Sequence, residues 1–166
     1  MSKCKCEYTL SWDQEYERIE YKYVGGERFQ GRLNHLEKGV SWNAKASDGA
    51  VNPPNGTGRN ASTNLEPSSW KIKTDWKKKG GPKNQKKDPL STCARCKPIG
   101  VPELVEPGDP IPGNETPGEP QNVTVTFTAN YPESYPPTDT DSANCKTRER
   151  KNKRTDKYKQ KYSCES

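Results

Sequence analysis

Apolar positions in this chain fall into short alternating runs, with no stretch carrying the spacing of an amphipathic helix. Tyr8, Leu10 and Trp12 alternate with Thr9 and Ser11, the period of two expected of a half-buried strand. Ile19, Tyr21 and Tyr23 alternate with Glu20 and Lys22 and are followed by Gly25-Gly26, a pair suited to the positive φ angles of a tight hairpin turn. Phe29 and Leu33, with Gly31 on the same face, predict a third strand. After a turn, Val40, Trp42 and Ala44 predict a fourth. Short strands joined by turns read as an antiparallel meander.

Residues 46–69 carry turn formers and almost no apolar side chain, and predict a long loop. Trp70, Ile72 and Trp76 then alternate with Lys71, Lys73 and Asp75 as a fifth strand. Much later, Val123, Val125 and Phe127 alternate with threonines. This late strand is expected to pair with the N-terminal sheet or with another subunit. Tyr and Trp at this spacing mark sheet packing with a polar tip at the edge rather than a binding site.

The pattern divides the chain into five stretches. Residues 1–77 form an antiparallel β-module with its long loop at 46–69. A basic segment with a Cys-X-X-Cys turn covers 78–97, and an acidic Pro/Gly-rich extended connector covers 98–120. The late strand lies in 121–131, and a C-terminal arm, basic from 146, covers 132–166. Pro-Gly recurs in the connector without announcing a repeat, and polyproline II is the expected local form. The arm reads as a solvated helix or an extended tail. The fold class is therefore mainly β: a small antiparallel sheet with long irregular, extended arms and few or no helices.

Composition sharpens this picture. Only 27% of the 166 residues are hydrophobic, little for a chain that must offset roughly 1–2 kcal/mol of backbone entropy per ordered residue. The arms are accordingly expected to be ordered by cross-links, metal or neighbouring chains. The N-terminus lacks the apolar core of a secretory signal, and no run approaches a membrane span. Synthesis in a cytosol, no membrane partner and a final location in a virion are the expectation. The sequons at Asn55, Asn60, Asn114 and Asn122 read as chance in so polar a chain.

Charge is sorted along the sequence. Residues 71–97 hold ten basic and two acidic side chains, 98–144 hold eight acidic and no basic ones, and 146–161 hold nine basic and two acidic. The net charge of +6 conceals these opposed fields. Basic runs at Lys77, Lys78, Lys79, Lys83, Lys86 and Lys87, and at Arg148, Arg150, Lys151, Lys153 and Arg154, are candidates for contact with nucleic-acid phosphates. Trp70, Trp76, Tyr158 and Tyr162 interleave with lysines as base-stacking platforms do. The plainer use of both charge signs is pairing with complementary strips on neighbouring subunits.

Six cysteines supply the remaining candidate chemistry. Cys93 and Cys96 in a Cys-X-X-Cys turn, joined by Cys4 and Cys6, make a candidate tetrahedral zinc site, with nearby lysines and Arg95 favouring thiolates. Cys145 and Cys164 make a candidate disulfide closing the C-terminal arm. The single histidine, His35, falls in a turn without a catalytic partner, and "KKKGGPK" lacks the Gly-Lys-Ser/Thr ending of a phosphate loop. No enzymatic activity is expected. The profile fits a non-enzymatic accessory structural subunit of a large assembly, most of all a virion component (bacteriophage head decoration, neck, tail or baseplate) whose arms order on neighbouring subunits. The alternative is a zinc-stabilised nucleic-acid-binding accessory protein, and a third reading is a secreted disulfide-stapled chain.

Overall fold

The computed structural model describes residues 5–34, 41–90, 94–131 and 137–165. The chain is all-β, with no helix among these residues. In chain order the strands are β1 (Lys5–Tyr23), β2 (Arg28–Arg32), β3 (Ser41–Ala46), β4 (Gly56–Thr57), β5 (Asn60–Asn64) and β6 (Lys71–Lys78), followed by β7 (Lys83–Asp88), β8 (Cys96–Glu106), β9 (Thr116–Pro117), β10 (Gln121–Ala129), β11 (Thr138–Cys145) and β12 (Thr147–Glu165).

They form two compact units that cut across the stretches read from the sequence. One comprises 1–19, 73–114 and 151–166; the other comprises 20–72 and 115–150. Strands β1 and β12 contribute residues to both. The antiparallel pairing is as expected, but the sheets are not a meander. One sheet runs β6-β1-β12-β8 with β7 also on β1 and β9 also on β12, a second runs β11-β10-β3-β4, and a third pairs β2 with β5.

In the unit of 20–72 and 115–150, alternation alone accounts for the core. Val123, Val125, Phe127 and Ala129 of β10 are buried, as are Trp42, Ala44 and Ala46 of β3, and they pack with Phe29, Leu33, Ala61 and Leu65. β10 pairs antiparallel with β3, setting Phe127 opposite Ala44, and with β11 on its other side. The late strand thus joins the N-terminal block of its own chain.

Gly31 is required by a close approach: a Cβ there would meet the Phe127 ring. Trp42 meets the same ring edge to face, 5.5 Å between centroids. The small β2–β5 sheet is finished by side chains. Gln30 N–H donates to Asp141 Oδ2 at 2.9 Å and Arg32 N–H donates to Asp139 Oδ2 at 2.6 Å, so two carboxylates stand where a neighbouring strand's carbonyls would.

Two expectations fail here. Residues 46–69 contain β4 and β5; in and just after β5, Ala61, Thr63 and Leu65 alternate with exposed polar residues and bury their side chains, although one of the three is small and one polar. Gly25 and Gly26 do have φ of +84° and +83°. However, the strands they join do not pair with one another, since β2 takes β5 as its partner.

The unit of 1–19, 73–114 and 151–166 is built differently. β1 is one strand of 19 residues rather than two short ones, and the basic part of the C-terminal arm is a strand of equal length, β12. β7 pairs antiparallel with β1, with Thr9 opposite Asp88 and Asp13 opposite Lys83. Lys79 N–H between β6 and β7 donates to Glu15 O at 2.9 Å, so residues 73–88 make one basic edge along β1. On the other side β8 pairs antiparallel with β12, with Cys96 opposite Cys164, Leu104 opposite Tyr158 and Glu106 opposite Lys157. The acidic connector and the basic arm, both expected to order on neighbours, are ordered on each other.

The connector's Pro-Gly pairs are a true repeat. They recur every five residues, at Pro107-Gly108, Pro112-Gly113 and Pro117-Gly118. A Cβ at Gly108 would overlap the carbonyl oxygen of Thr155, and one at Gly113 that of Lys151; in the other unit, one at Gly118 would crowd Thr147 Oγ1. The glycines thus lie against every fourth residue of β12, and each repeat carries one residue more than the strand it follows. Only glycine allows backbone to approach backbone this closely. Between the first two contacts Ile111 and Lys153 exchange both backbone hydrogen bonds, at 2.7 and 3.0 Å.

Phe127→Ala is expected to destabilise the unit of 20–72 and 115–150 by about 3–5 kcal/mol, the usual cost of emptying a buried aromatic site. Hydrogen exchange of the β3 and β10 amides reads it. Protection equal to that of the wild type would contradict the packing described.

Candidate interaction surface

The residues that hold β1 to β12 also set the surface chemistry. Tyr8 stacks on Tyr162 with centroids 4.9 Å apart, Trp12 on Tyr158 at 5.8 Å, and the Tyr16 ring lies under the Arg154 guanidinium at 5.0 Å. Each step of four along β1 is matched by a step of four back along β12. The two strands therefore run antiparallel with these side chains on one face. Such stacks contribute about 0.5–1.5 kcal/mol each beyond area burial. Arg18 and Arg154 each lie over the Trp76 ring, 4.7 Å from its centroid, and Lys87 covers Tyr8. In the other unit Trp70 is flanked likewise by Arg150 at 4.2 Å and Lys22 at 4.8 Å.

The Tyr16 and Tyr158 hydroxyls are 2.8 Å apart. That hydrogen bond first, and burial second, push the Tyr158 phenol up to about 12. On the basic edge, Lys79 donates to Glu17 Oε2 at 3.1 Å and Lys83 to Glu15 Oε2 at 3.0 Å. The hydrogen bond from Lys79 holds the Glu17 carboxyl below its ordinary value, against the opposing effect of burial. The buried Asp156 carboxylate accepts from Gly108 N–H at 2.8 Å and faces Arg154 Nε at 3.4 Å, pinning the connector to β12.

The structure separates the expected basic residues by role. Lys79 and Lys83 are neutralised by carboxylates and Lys87 sits on a ring. Lys77, Lys78 and Lys86 are exposed along the same edge, and Lys151 and Lys153 are exposed on β12. Arg154 is engaged by the Trp76 and Tyr16 rings. In the other unit Arg148 pairs with Glu115 at 3.1 Å and Arg150 with Glu20 at 3.1 Å. The tryptophans and Tyr158 expected as base-stacking platforms are already covered by cations or by another ring.

The cysteine assignment is corrected. Cys164 is bonded to Cys96, not to Cys145, because the antiparallel register places these two opposite each other at the ends of β8 and β12. Cys145 is a free thiol buried in the core, and burial raises its pKa. With its sulfur in the disulfide, Cys96 is not a thiolate, which removes one ligand from the expected four-cysteine zinc clamp. Cys6 is half-buried on β1. Cys4 and Cys93, like His35, lie outside the described residues. Among the described residues, no three His, Cys, Asp or Glu side chains gather as a metal site. The sequon residues Asn55, Asn60, Asn114 and Asn122 are all exposed.

Two further features bear on recognition. In the unit of 20–72 and 115–150 an open cleft of about 710 Å³ is lined by Arg28, Asn55, Asn60, Asn64 and Glu66 among others. In the unit of 1–19, 73–114 and 151–166, β8 and the chain beyond it expose apolar side chains: Ile99 is 47% exposed, Val101 82%, Leu104 47%, Val105 55% and Ile111 69%. The sequence reading passed over this strip because the residues are spaced by prolines and glycines and do not alternate. Comparison with known protein families, curated proteins and solved structures found no match.

Tyr158 gives a pH test. Its pKa is higher folded than the ordinary value of 10.0, so the folded state keeps its proton longer than the unfolded chain. The stability this supplies is complete below about pH 10 and is lost as pH rises towards about 12. Tyr158→Phe is expected to flatten the fall in stability across that window, read by denaturant titrations at successive pH values. An unchanged slope would contradict the assignment.

Proposed function

We propose that this chain is a non-enzymatic structural subunit of a larger protein assembly, docking through the edges of its long-stranded sheet. The observation that carries the reading is the strip of five exposed apolar side chains along β8 and Ile111. Exposed apolar residues scattered singly are ordinary, whereas five on one outer stretch of chain, set among charged residues, mark a candidate protein contact surface. The chain holds its own arms, so a neighbour is required to cover this strip rather than to fold the tails. A particle of the virion type, the kind of assembly the composition profile fits, is the first to test.

A second reading, nucleic-acid binding, is favoured by Lys77, Lys78 and Lys86 standing exposed on one edge. It is opposed by the use of the neighbouring rings and of Lys79, Lys83 and Lys87 inside the unit. Gel shifts with mixed-sequence single- and double-stranded DNA and RNA separate the two.

Gradient sedimentation of a native extract containing the chain is expected to place it in fractions far heavier than its 18.7 kDa, with no gel shift at physiological salt. Recovery solely at the monomer position would contradict the assembly reading.

A further inference from the structure

Within the unit of 1–19, 73–114 and 151–166 the two outer edges of one sheet carry opposite charge. The β6–β7 edge, residues 73–88, holds seven lysines against Asp75 and Asp88; Lys79 and Lys83 are engaged by Glu17 and Glu15 and Lys87 by the Tyr8 ring, and Lys77, Lys78 and Lys86 stand exposed. The β8 edge and its continuation hold Glu106 and Asp109, and Glu103 paired with Lys159 of β12, against Lys97, together with the exposed apolar residues. Strands β1 and β12 lie between them. We propose that the occupant of the acidic apolar edge is the lysine edge of a second copy of this chain, so that copies join head to tail. This rests on the assembly reading and names the partner.

Three physical arguments lead there. Complementary charge sets both attraction and orientation: acidic edge on acidic edge repels, as does lysine on lysine, leaving only the mixed contact. Lysine side chains bring four methylenes each, which cover apolar neighbours while the ammonium reaches a carboxylate or water. This matches an edge where Val101, Val105 and Ile111 stand among Glu103, Glu106 and Asp109. Finally, Pro98, Pro102, Pro107, Pro110 and Pro112 have no N–H to offer along the acidic edge. A continuous main-chain ladder is thereby excluded, and the contact is made by side chains, which makes it sensitive to salt. Because the two edges differ, the contact is heterologous and repeats from copy to copy.

The test uses the purified, nuclease-treated full chain with its disulfide intact, in analytical ultracentrifugation. In about 0.05 M salt the weight-average mass is expected to rise at least about twofold over the monomer with increasing concentration, and to return to monomer near about 0.5 M, where charges are screened within a few ångströms. Glu106→Lys with Asp109→Lys, and separately Lys77→Glu with Lys86→Glu, should each be monomeric at low salt. An equimolar mixture of the two double variants should associate, because the untouched lysine edge of the first then meets the untouched acidic edge of the second. A wild-type chain that stays monomeric at low salt overturns the proposal, as does a mixture that fails to associate while both variants keep the wild-type circular dichroism and melting profile. If either variant misfolds, the wild-type salt series decides. A pure chain that is monomeric yet sediments in heavy fractions of the native extract would overturn self-association and leave the assembly reading standing, with a different protein as partner.

Discussion

The pairing of β1 with β12 is the constraint on which the unit of 1–19, 73–114 and 151–166 depends. Among the described residues, the buried hydrophobic side chains of this unit are Tyr8 and Cys164. Aliphatic burial, worth about 1.5–3 kcal/mol per large side chain elsewhere, is therefore not what orders it. The described residues show instead a backbone ladder, a row of ring stacks and ring–cation contacts, and the Cys96–Cys164 disulfide between the outer strand β8 and β12. Cation–π contacts add roughly 0.5–1 kcal/mol each when exposed and more when desolvated. Each is small, and they hold because they recur at a fixed step along two strands that are already paired. The low hydrophobic content of the chain is thus compatible with extended order, provided the rings face each other across a register.

The opposed charge blocks serve the same end. The acidic connector lies on the basic arm, with Lys157 opposite Glu106 and Lys159 Nζ 3.8 Å from Glu103 Oε2. The Pro-Gly repeat lets it approach β12 closely and leaves few donors on its outer side. An edge so short of N–H groups resists uncontrolled strand addition, while its apolar and acidic side chains remain available to a partner of the right charge. The same residues thereby close the sheet to generic pairing and leave a surface for specific contact.

Much of the fold was legible where large apolar residues alternate. Val123, Val125 and Phe127 announced β10, Trp42 and Ala44 announced β3, and the all-β class followed from the same period. The long strands were not legible, because their inward positions are Gln14, Tyr16, Asn152, Arg154 and Asp156, which hydropathy counts as polar. Their signal was relational: Tyr8, Trp12 and Tyr16 recur every fourth residue, as do Tyr162, Tyr158 and Arg154 in reverse, and only pairing makes that informative. The cysteine connectivity failed for a related reason. Spacing along the chain favoured Cys145 with Cys164 and Cys93 with Cys96, whereas register, which sequence separation does not encode, joined Cys96 to Cys164.

The basic and acidic stretches were expected to meet nucleic acid or neighbouring subunits, whereas the contact the structure contains is the one they make with each other. Hydrogen exchange of the β12 amides between Lys151 and Cys164, in the isolated chain at a salt concentration that keeps it monomeric, tests this most directly. Protection well above that of an unfolded chain, extending to the β8 amides, is the predicted result. Exchange at unfolded-chain rates in β12 while β10 stays protected would show that the aromatic ladder does not order this unit by itself.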